Sequence, residues 1–196
     1  MVDNMRFVFV HGFNVRDGGL HTVDQLAFLA GNDGYEVDKD EGDYGYFNLW
    51  MIRLFKSQLR RRVLYRLAKA FEKADVIVTH SNGAYFTTLA LNMLNKEFNN
   101  TKVVVHISPA LNIDAEIPEA VKAQLTLATK HDGWVKLASY LPFMPWGRQG
   151  ARGYKGSSNK VTNRFDNSVK RHSDWFKLDH LMTTWGIVRT YAEKNR

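Results

Sequence analysis

A serine at the junction of an apolar run and a helical pattern is the first residue in this sequence that could carry chemistry. Ser81 follows the run 74–79, Ala-Asp-Val-Ile-Val-Thr, and Gly83 comes two residues later, where the helical pattern begins. A serine hydroxyl becomes a good nucleophile when a tight strand-to-helix turn exposes it to a histidine and to the helix N-terminus. The same position would also suit a serine that only caps the helix. The segment predicts a nucleophile or an N-cap and leaves both open.

The elements that would position Ser81 alternate between short apolar runs and longer amphipathic patterns. The apolar runs predict strands at 6–10, 35–37, 74–79, 102–107 and 124–129. Apolar residues at every third or fourth position predict helices at about 20–31, 46–73, 83–98 and 178–194. Because the strands are apolar throughout, we expect an α/β fold with a mostly parallel β-sheet flanked by helices on both faces.

The composition is typical of one globular domain without covalent crosslinks. The 196 residues are 44% apolar and 24% charged, and none is a cysteine. A chain of this size can bury enough surface to fold without a disulfide or a metal, and the lack of cysteine excludes a thiol nucleophile and a Cys-ligated zinc. We predict one domain over 1–196, with a loop or flap insertion at about 133–168.

The histidines and glycines show no cofactor-binding pattern. The seven histidines include no His-x-x-x-His pair, and the sequence has no P-loop and no dinucleotide-binding glycine motif. We therefore predict no metal and no cofactor. The longest apolar runs are too short to cross a bilayer, and the first residues lack the pattern of a signal peptide, so we expect no transmembrane segment and a cytoplasmic location.

Charge is concentrated in two neighbouring stretches of opposite sign. The chain has 27 basic and 20 acidic residues, a net charge of +7, with the basic excess in 53–73 and an acidic excess in 17–45. A basic helix face can attract phosphate groups, but a solvated face that balances the acidic stretch has the same pattern. We do not expect a nucleic-acid partner, and the sequence predicts no oligomeric state.

Two segments resemble motifs of the α/β-hydrolase superfamily. The segment 79–83, Thr-His-Ser-Asn-Gly, resembles its G-x-S-x-G nucleophile elbow, with Thr in place of the first Gly. The segment 7–15, Phe-Val-Phe-Val-His-Gly-Phe-Asn-Val, resembles its His-Gly-x loop, which supplies one backbone N–H of an oxyanion hole. The resemblance implies a minimal α/β-hydrolase fold with oxyanion donors at Phe13 and Asn82. The supporting residues that it implies are His11, Gly12, Asn14 and Gly83.

The resemblance also implies an acid and a base for Ser81. Asp132, in Asp-Gly-Trp-Val after a late predicted strand, resembles the acid turn of the family, although an Asp-Gly pair can simply form a turn. His172, in His-Ser-Asp-Trp-Phe before the last helix, matches the position of the family's base. His180 is the alternative base, but its place inside the helical pattern is more typical of a packing histidine.

The implied function is a compact serine esterase or lipase that cleaves a small-molecule carboxylic ester through a Ser-His-Asp triad and an acyl-enzyme. The aromatic segment 134–146 could then form a flap over an apolar acyl pocket, or it could pack onto the core. One alternative is a catalytically inactive member of the fold that binds a partner through its basic helix face. A thioesterase or peptidase with the same triad is another.

Overall fold

One parallel sheet organises the part of the chain that the computed structural model describes, which is residues 5–12, 21–38, 42, 58–140 and 146–196. Within these residues the sheet has six strands in the order β2-β1-β3-β4-β5-β6, and every neighbouring pair is parallel. The strands are β1 (Arg6–Val10), β2 (Glu36–Asp38), β3 (Val76–His80), β4 (Lys102–Ile107), β5 (Val121–Ala128) and β6 (Val161–Phe165).

Helices connect the strands and cover the sheet. They are α1 (Val23–Asn32), α2 (Gln58–Lys73), α3 (Gly83–Leu91), α4 (Gly133–Ala138), α5 (Gln149–Arg152) and α6 (Leu178–Asn195), with short 3₁₀ turns at Lys96–Phe98 and Asp174–Phe176.

The two faces of the sheet bury separate apolar clusters. In β1, Phe7 and Phe9 pack in the cluster that includes α1 and α6, whereas Val8 and Val10 pack in the cluster that includes α2 and α3. Alternate residues of a strand point to opposite faces, so a strand covered on both sides must be apolar along its whole length. The predicted α/β class, with a parallel sheet between two layers of helices, is confirmed.

The sheet contains one strand that the sequence analysis did not predict. β6 pairs with β5 at the edge of the sheet, and four of its five side chains are exposed. It therefore lacks the apolar run that marks the buried strands. The segment 133–168, predicted as a loop or flap insertion, contains α4, α5 and β6 in its described part.

The helix predicted at 83–98 is shorter in the structure. It ends at Leu91, and the chain then passes through Asn92 and Asn95 into the first 3₁₀ turn. Asparagine side chains compete for backbone hydrogen bonds and disfavour the interior of a helix, which outweighs the apolar periodicity of Met93 and Leu94.

The long helix predicted at 46–73 is described only in its second half. α2 is that half, and residues 46–57 lie outside the described residues. No helix in the described part of the chain combines the length and the apolar character needed to cross a membrane.

Candidate active site

Ser81 stands at the carboxyl end of β3 in a strained backbone conformation. Its φ is +54°, a region that residues other than glycine rarely adopt. The turn is held from both sides, because Ser81 N–H donates to the Ile107 carbonyl over 3.1 Å and the Ser81 carbonyl accepts from the N–H of Ala84 and of Ala110. Such strain at one residue between a buried strand and a helix is typical of a nucleophile elbow.

Gly83 lets the first turn of α3 pack directly on the end of β1. A Cβ atom at this position would lie 2.4 Å from the His11 carbonyl oxygen and 2.8 Å from that of Val10. On the other side of the serine, a Cβ on Gly12 would lie 3.2 Å from the Ser81 Cβ. The loop after β1 and the serine turn are therefore in close contact.

His11 stabilises its own loop. The ring is 1% exposed, and its Nδ1 lies 2.8 Å from the Gly12 carbonyl oxygen, to which it donates. The sequence analysis placed His11 in this bracing role. Phe13 and Asn14, the predicted oxyanion donor and supporting residue that follow, lie outside the described residues.

Asp132 and His172 meet at the end of β5, although they are 40 residues apart in the sequence. The Asp132 side chain is fully buried, and its Oδ2 accepts a hydrogen bond of 2.8 Å from His172 Nδ1. Its Oδ1 accepts from the Val135 N–H over 3.0 Å, which caps the N-terminus of α4. One carboxylate thus orients the imidazole and begins the helix.

His172 and His180 differ in what they contact. His180 lies in the first turn of α6, outside the cavity that Ser81 lines, and it interacts electrostatically with Asp166. His172 lines the cavity and carries the bond to Asp132. The structure therefore brings His172 and not His180 to the predicted acid.

Ser81 and His172 line one cavity of about 340 Å³. Asn82, Trp134, Leu137 and other mainly apolar side chains complete its wall. None of the hydrogen bonds found among the described residues links the Ser81 hydroxyl to the His172 ring. Bonds between a nucleophile and its base are often long before substrate binds, so this geometry is compatible with catalysis.

Asn82, the predicted oxyanion donor, precedes α3 and has a side-chain partner that the sequence analysis missed. Its Oδ1 accepts a hydrogen bond of 2.6 Å from Trp146 Nε1, and both residues are buried. The contact joins residues 64 positions apart. Only the aromatic character of 134–146 pointed to this region in the sequence.

His80 and His106 are two further buried histidines near the elbow. The His80 ring packs against His172, with centroids 4.7 Å apart, and neither of its nitrogens has a hydrogen-bond partner of good geometry. Burial, and then the neighbouring His172, lower the pKa of His80 well below its ordinary value. His106 Nδ1 lies 2.7 Å from Thr79 Oγ1, and burial lowers its pKa to about 3. Both shifts favour the neutral form of the ring.

The Thr79–His106 pair also accounts for the departure from the G-x-S-x-G pattern. Thr79 and His106 are register partners in β3 and β4, and both side chains are buried. The threonine hydroxyl therefore satisfies a polar group on the next strand, which a glycine could not do. No three His, Asp or Glu side chains of the described ranges come close enough together to hold a metal ion.

Comparisons with known proteins find similarity in structure only. No protein-family model and no curated protein sequence matches this chain. A solved esterase from Pyrococcus furiosus is 13% identical with a TM-score of 0.59, covering 99% of this chain and 83% of its own. A monoacylglycerol lipase from Paleococcus ferrophilus is 11% identical with a TM-score of 0.54, covering 96% and 94%. A proposed hydrolase of the alpha/beta superfamily from Xanthomonas campestris pv. campestris is 18% identical with a TM-score of 0.53, covering 97% and 98%.

Proposed function

We propose that this chain, which has the α/β-hydrolase fold, is a serine hydrolase that cleaves a small-molecule carboxylic ester. The observation that carries the proposal is the hydrogen bond between His172 and the buried Asp132. His172 lines the same cavity as Ser81, which lies on a turn with a positive φ. A capping serine or an Asp-Gly turn would need neither the positive φ nor the histidine.

The first chemical step is attack by the Ser81 hydroxyl on the ester carbonyl carbon. The Asp132 carboxylate accepts a hydrogen bond from the Nδ1–H of His172, and this fixes the tautomer whose Nε2 has a free lone pair. Nε2 takes the serine proton while the Oγ–C bond forms, and the carbonyl π electrons move to oxygen. Asp132 stabilises the imidazolium that results.

The oxyanion that forms must be met by fixed N–H donors. The backbone N–H of Asn82 lies at the start of α3, where the helix N-terminus favours negative charge. Phe13 is the second proposed donor. When the tetrahedral intermediate collapses, the C–O bond to the alcohol breaks and the alcohol takes the proton from His172 Nε2. Water then repeats the sequence on the acyl-enzyme and releases the acid.

An ester is favoured over an amide by two observations. Two of the three structures described above are named as an esterase and a lipase. The cavity is lined mainly by apolar side chains, which suits an apolar acyl group better than a peptide with its many backbone polar groups.

The decisive experiment is intact mass spectrometry after exposure to a fluorophosphonate, which labels an activated serine without knowledge of the substrate. We expect one adduct on the wild type and none on Ser81→Ala. His172→Ala should prevent labelling, whereas His180→Ala, which removes a histidine outside the cavity, should label normally. Hydrolysis of p-nitrophenyl butyrate should follow the same order.

Other results would contradict the proposal in distinct ways. A folded wild type without an adduct and without ester hydrolysis would favour a binding protein that uses the fold without the chemistry. Normal labelling of His172→Ala together with loss in His180→Ala would make His180 the base. Faster hydrolysis of a thioester or of an anilide with the same acyl group would assign the triad to another bond.

A further inference from the structure

We propose that Trp146 is a positioning residue for the oxyanion hole, because its indole N–H holds the side-chain oxygen of Asn82 away from the N-terminus of α3. The inference rests on the proposed function, in which the backbone N–H of Asn82 meets the oxyanion. It gives a role in that step to a residue that lies 64 positions from Asn82 in the sequence and acts only through it.

The first step concerns an asparagine that precedes a helix and does not cap it. The Asn82 carbonyl accepts the first bonds of α3, from the N–H of Tyr85 over 3.0 Å and of Phe86 over 3.4 Å. At such a position an asparagine side chain usually accepts a hydrogen bond from one of the next N–H groups, and its backbone is usually extended. Asn82 instead has a helical φ of −65° and ψ of −21°, and its side chain makes no cap. The side chain therefore serves another purpose than capping.

The second step is the contact that the side chain makes instead. Trp146 Nε1–H donates to Asn82 Oδ1 over 2.6 Å, which engages the oxygen that would otherwise cap α3. An indole nitrogen can only donate, so the amide must turn its oxygen toward Trp146 and its Nδ2 elsewhere. Both side chains are buried, and Nδ2 finds no hydrogen-bond partner in the described part of the chain. The single bond to the indole therefore decides how the amide is oriented.

The third step shows that Trp146 is itself held in place relative to the serine turn. Gln149, three residues later, donates its N–H to the Leu111 carbonyl over 3.0 Å, which attaches this segment to the loop after β4. The same loop is attached to the elbow, because Ala110 N–H donates to the Ser81 carbonyl over 3.1 Å. Main-chain bonds thus connect the segment that carries the indole to the turn that carries the nucleophile, and the indole can orient the amide precisely.

The fourth step is what this orientation does for the oxyanion. None of the hydrogen bonds of the described residues uses the Asn82 backbone N–H as a donor, so this N–H is open to a ligand. An amide oxygen that capped α3 would bring partial negative charge to the helix N-terminus, where the oxyanion also forms. Capping would also turn the Asn82 backbone toward extended φ and ψ and so redirect its N–H. By engaging Oδ1, Trp146 prevents both effects.

The test compares Trp146→Phe with the wild type in hydrolysis of p-nitrophenyl butyrate. Phenylalanine keeps an aromatic ring but has no N–H to engage Oδ1. Loss of a whole oxyanion donor typically lowers kcat by roughly 10²- to 10³-fold, and we expect misplacement of one donor to lower it by roughly 10- to 100-fold. KM should change by less than about threefold, because the contact acts on the transition state and not on substrate binding.

Asn82→Ala in the Trp146→Phe background gives the sharpest result. Alanine keeps the backbone N–H, but it has no side-chain oxygen to cap α3. We therefore expect the double variant to recover kcat by at least about threefold over Trp146→Phe, a coupling of the size that contacting residues commonly show. If Trp146 only supported the fold, the second truncation would lower kcat further.

Trp185→Phe is the matched control. Trp185 is also buried, and its Nε1–H donates to Oδ2 of Asp33, the residue after α1, over 2.8 Å. It does not line the cavity that contains Ser81. Trp185→Phe should lower the melting temperature and leave kcat unchanged. Circular dichroism melting verifies that each variant is folded, and Trp146→Met, which fills irregular space and also lacks the N–H, replaces Trp146→Phe if that variant does not fold.

Each outcome decides one of the two claims. If neither fluorophosphonate nor any ester reacts at Ser81, the proposed function fails, and the inference fails with it. If the wild type is active but Trp146→Phe lowers kcat no more than Trp185→Phe does, only the inference fails. A loss that appears in KM instead of kcat, or a double variant that is less active than Trp146→Phe, also overturns it.

Discussion

The two helices that follow the proposed nucleophile and the proposed acid begin in the same way but are built differently. α3 begins at Gly83 after the serine turn, and α4 begins at Gly133 immediately after Asp132. A Cβ on Gly83 would collide with the main chain of β1, whereas a Cβ on Gly133 would meet no atom within 4 Å. The serine side thus depends on close contact between backbones, and the acid side depends on the two oxygens of one carboxylate.

This difference predicts what each region tolerates. On the serine side, the positive φ of Ser81 persists because hydrogen bonds and close packing from β1 and β4 hold it. On the acid side, the backbone has room, but the Asp132 side chain is fully buried and occupied at both oxygens. Substitutions that alter backbone packing should therefore disturb the serine side. Substitutions that alter the Asp132 side chain should disturb the acid side.

The largest effect is expected from Asp132→Asn, which separates the two tasks of the carboxylate. Asparagine caps a helix about as well as aspartate, so α4 should persist and the melting temperature should change little. The amide donates where the carboxylate accepts and so favours the wrong tautomer of His172, which should lower kcat by about 10⁴-fold. The measurement is ester hydrolysis together with thermal melting.

Asp132→Ala is the comparison for that variant. It should lose the activity and also the cap, with about 1 kcal/mol of stability lost through the cap alone. Activity of Asp132→Asn within tenfold of the wild type would remove Asp132 from the mechanism.

The next largest effect is expected from Gly83→Ala on the serine side. The added Cβ would lie 2.4 Å from the His11 carbonyl oxygen, so α3 or β1 must move. Overpacking of this kind typically costs about 1 to 3 kcal/mol, and here the movement also displaces Ser81 and Asn82. Urea unfolding should show the loss of stability, and fluorophosphonate labelling should slow sharply. Wild-type stability and labelling rate would mean that the close packing is not required.

The same contrast explains how far the sequence could predict the site. Local patterns were sufficient for the buried strands, and they pointed to the serine turn because Ser81, Asn82 and Gly83 are consecutive. Contacts such as Trp146 with Asn82 depend on how distant segments pack, and no spacing in the sequence specifies them.

β6 and Thr79 are two features that the sequence analysis did not explain. β6 was missed because an exposed edge strand has no apolar run. Thr79 departs from the G-x-S-x-G pattern, and its hydrogen-bond partner, His106, lies on another strand. In both cases the missing information is the neighbouring strand and not the local sequence.

A smaller effect, on the serine side again, is expected when the pH is lowered. Burial lowers the pKa of His106 to about 3, while an unfolded histidine has a pKa of about 6.5. Between these two pKa values the unfolded chain binds more protons than the folded chain. The free energy of unfolding therefore falls as the pH drops from about 6.5 toward 3. At pH 5 the loss from His106 should be about 2 kcal/mol.

Urea unfolding of the wild type and of His106→Gln at neutral and acidic pH tests this linkage. The glutamine can still bond to Thr79, so the variant should fold and should show a weaker loss of stability in acid. A slope that persists is expected from His80, whose pKa is lowered in the same direction, and at lower pH from carboxyl groups with lowered pKa values, such as those of Asp166 and Asp174. His131→Gln replaces an exposed histidine and should behave like the wild type. Equal slopes in His106→Gln and the wild type would contradict the assignment.

The smallest effect is expected from Gly133→Ala, the counterpart of Gly83→Ala on the acid side. The first residue of α4 is exposed and has space for a methyl group. A glycine replaced by alanine at a compatible position stabilises a protein by about 0.4 to 1 kcal/mol, because the unfolded chain loses conformational freedom. We therefore expect a slightly higher melting temperature and unchanged labelling of Ser81. If Gly133→Ala were instead as damaging as Gly83→Ala, the acid would depend on its backbone as the nucleophile does, and the distinction between the two regions would be wrong.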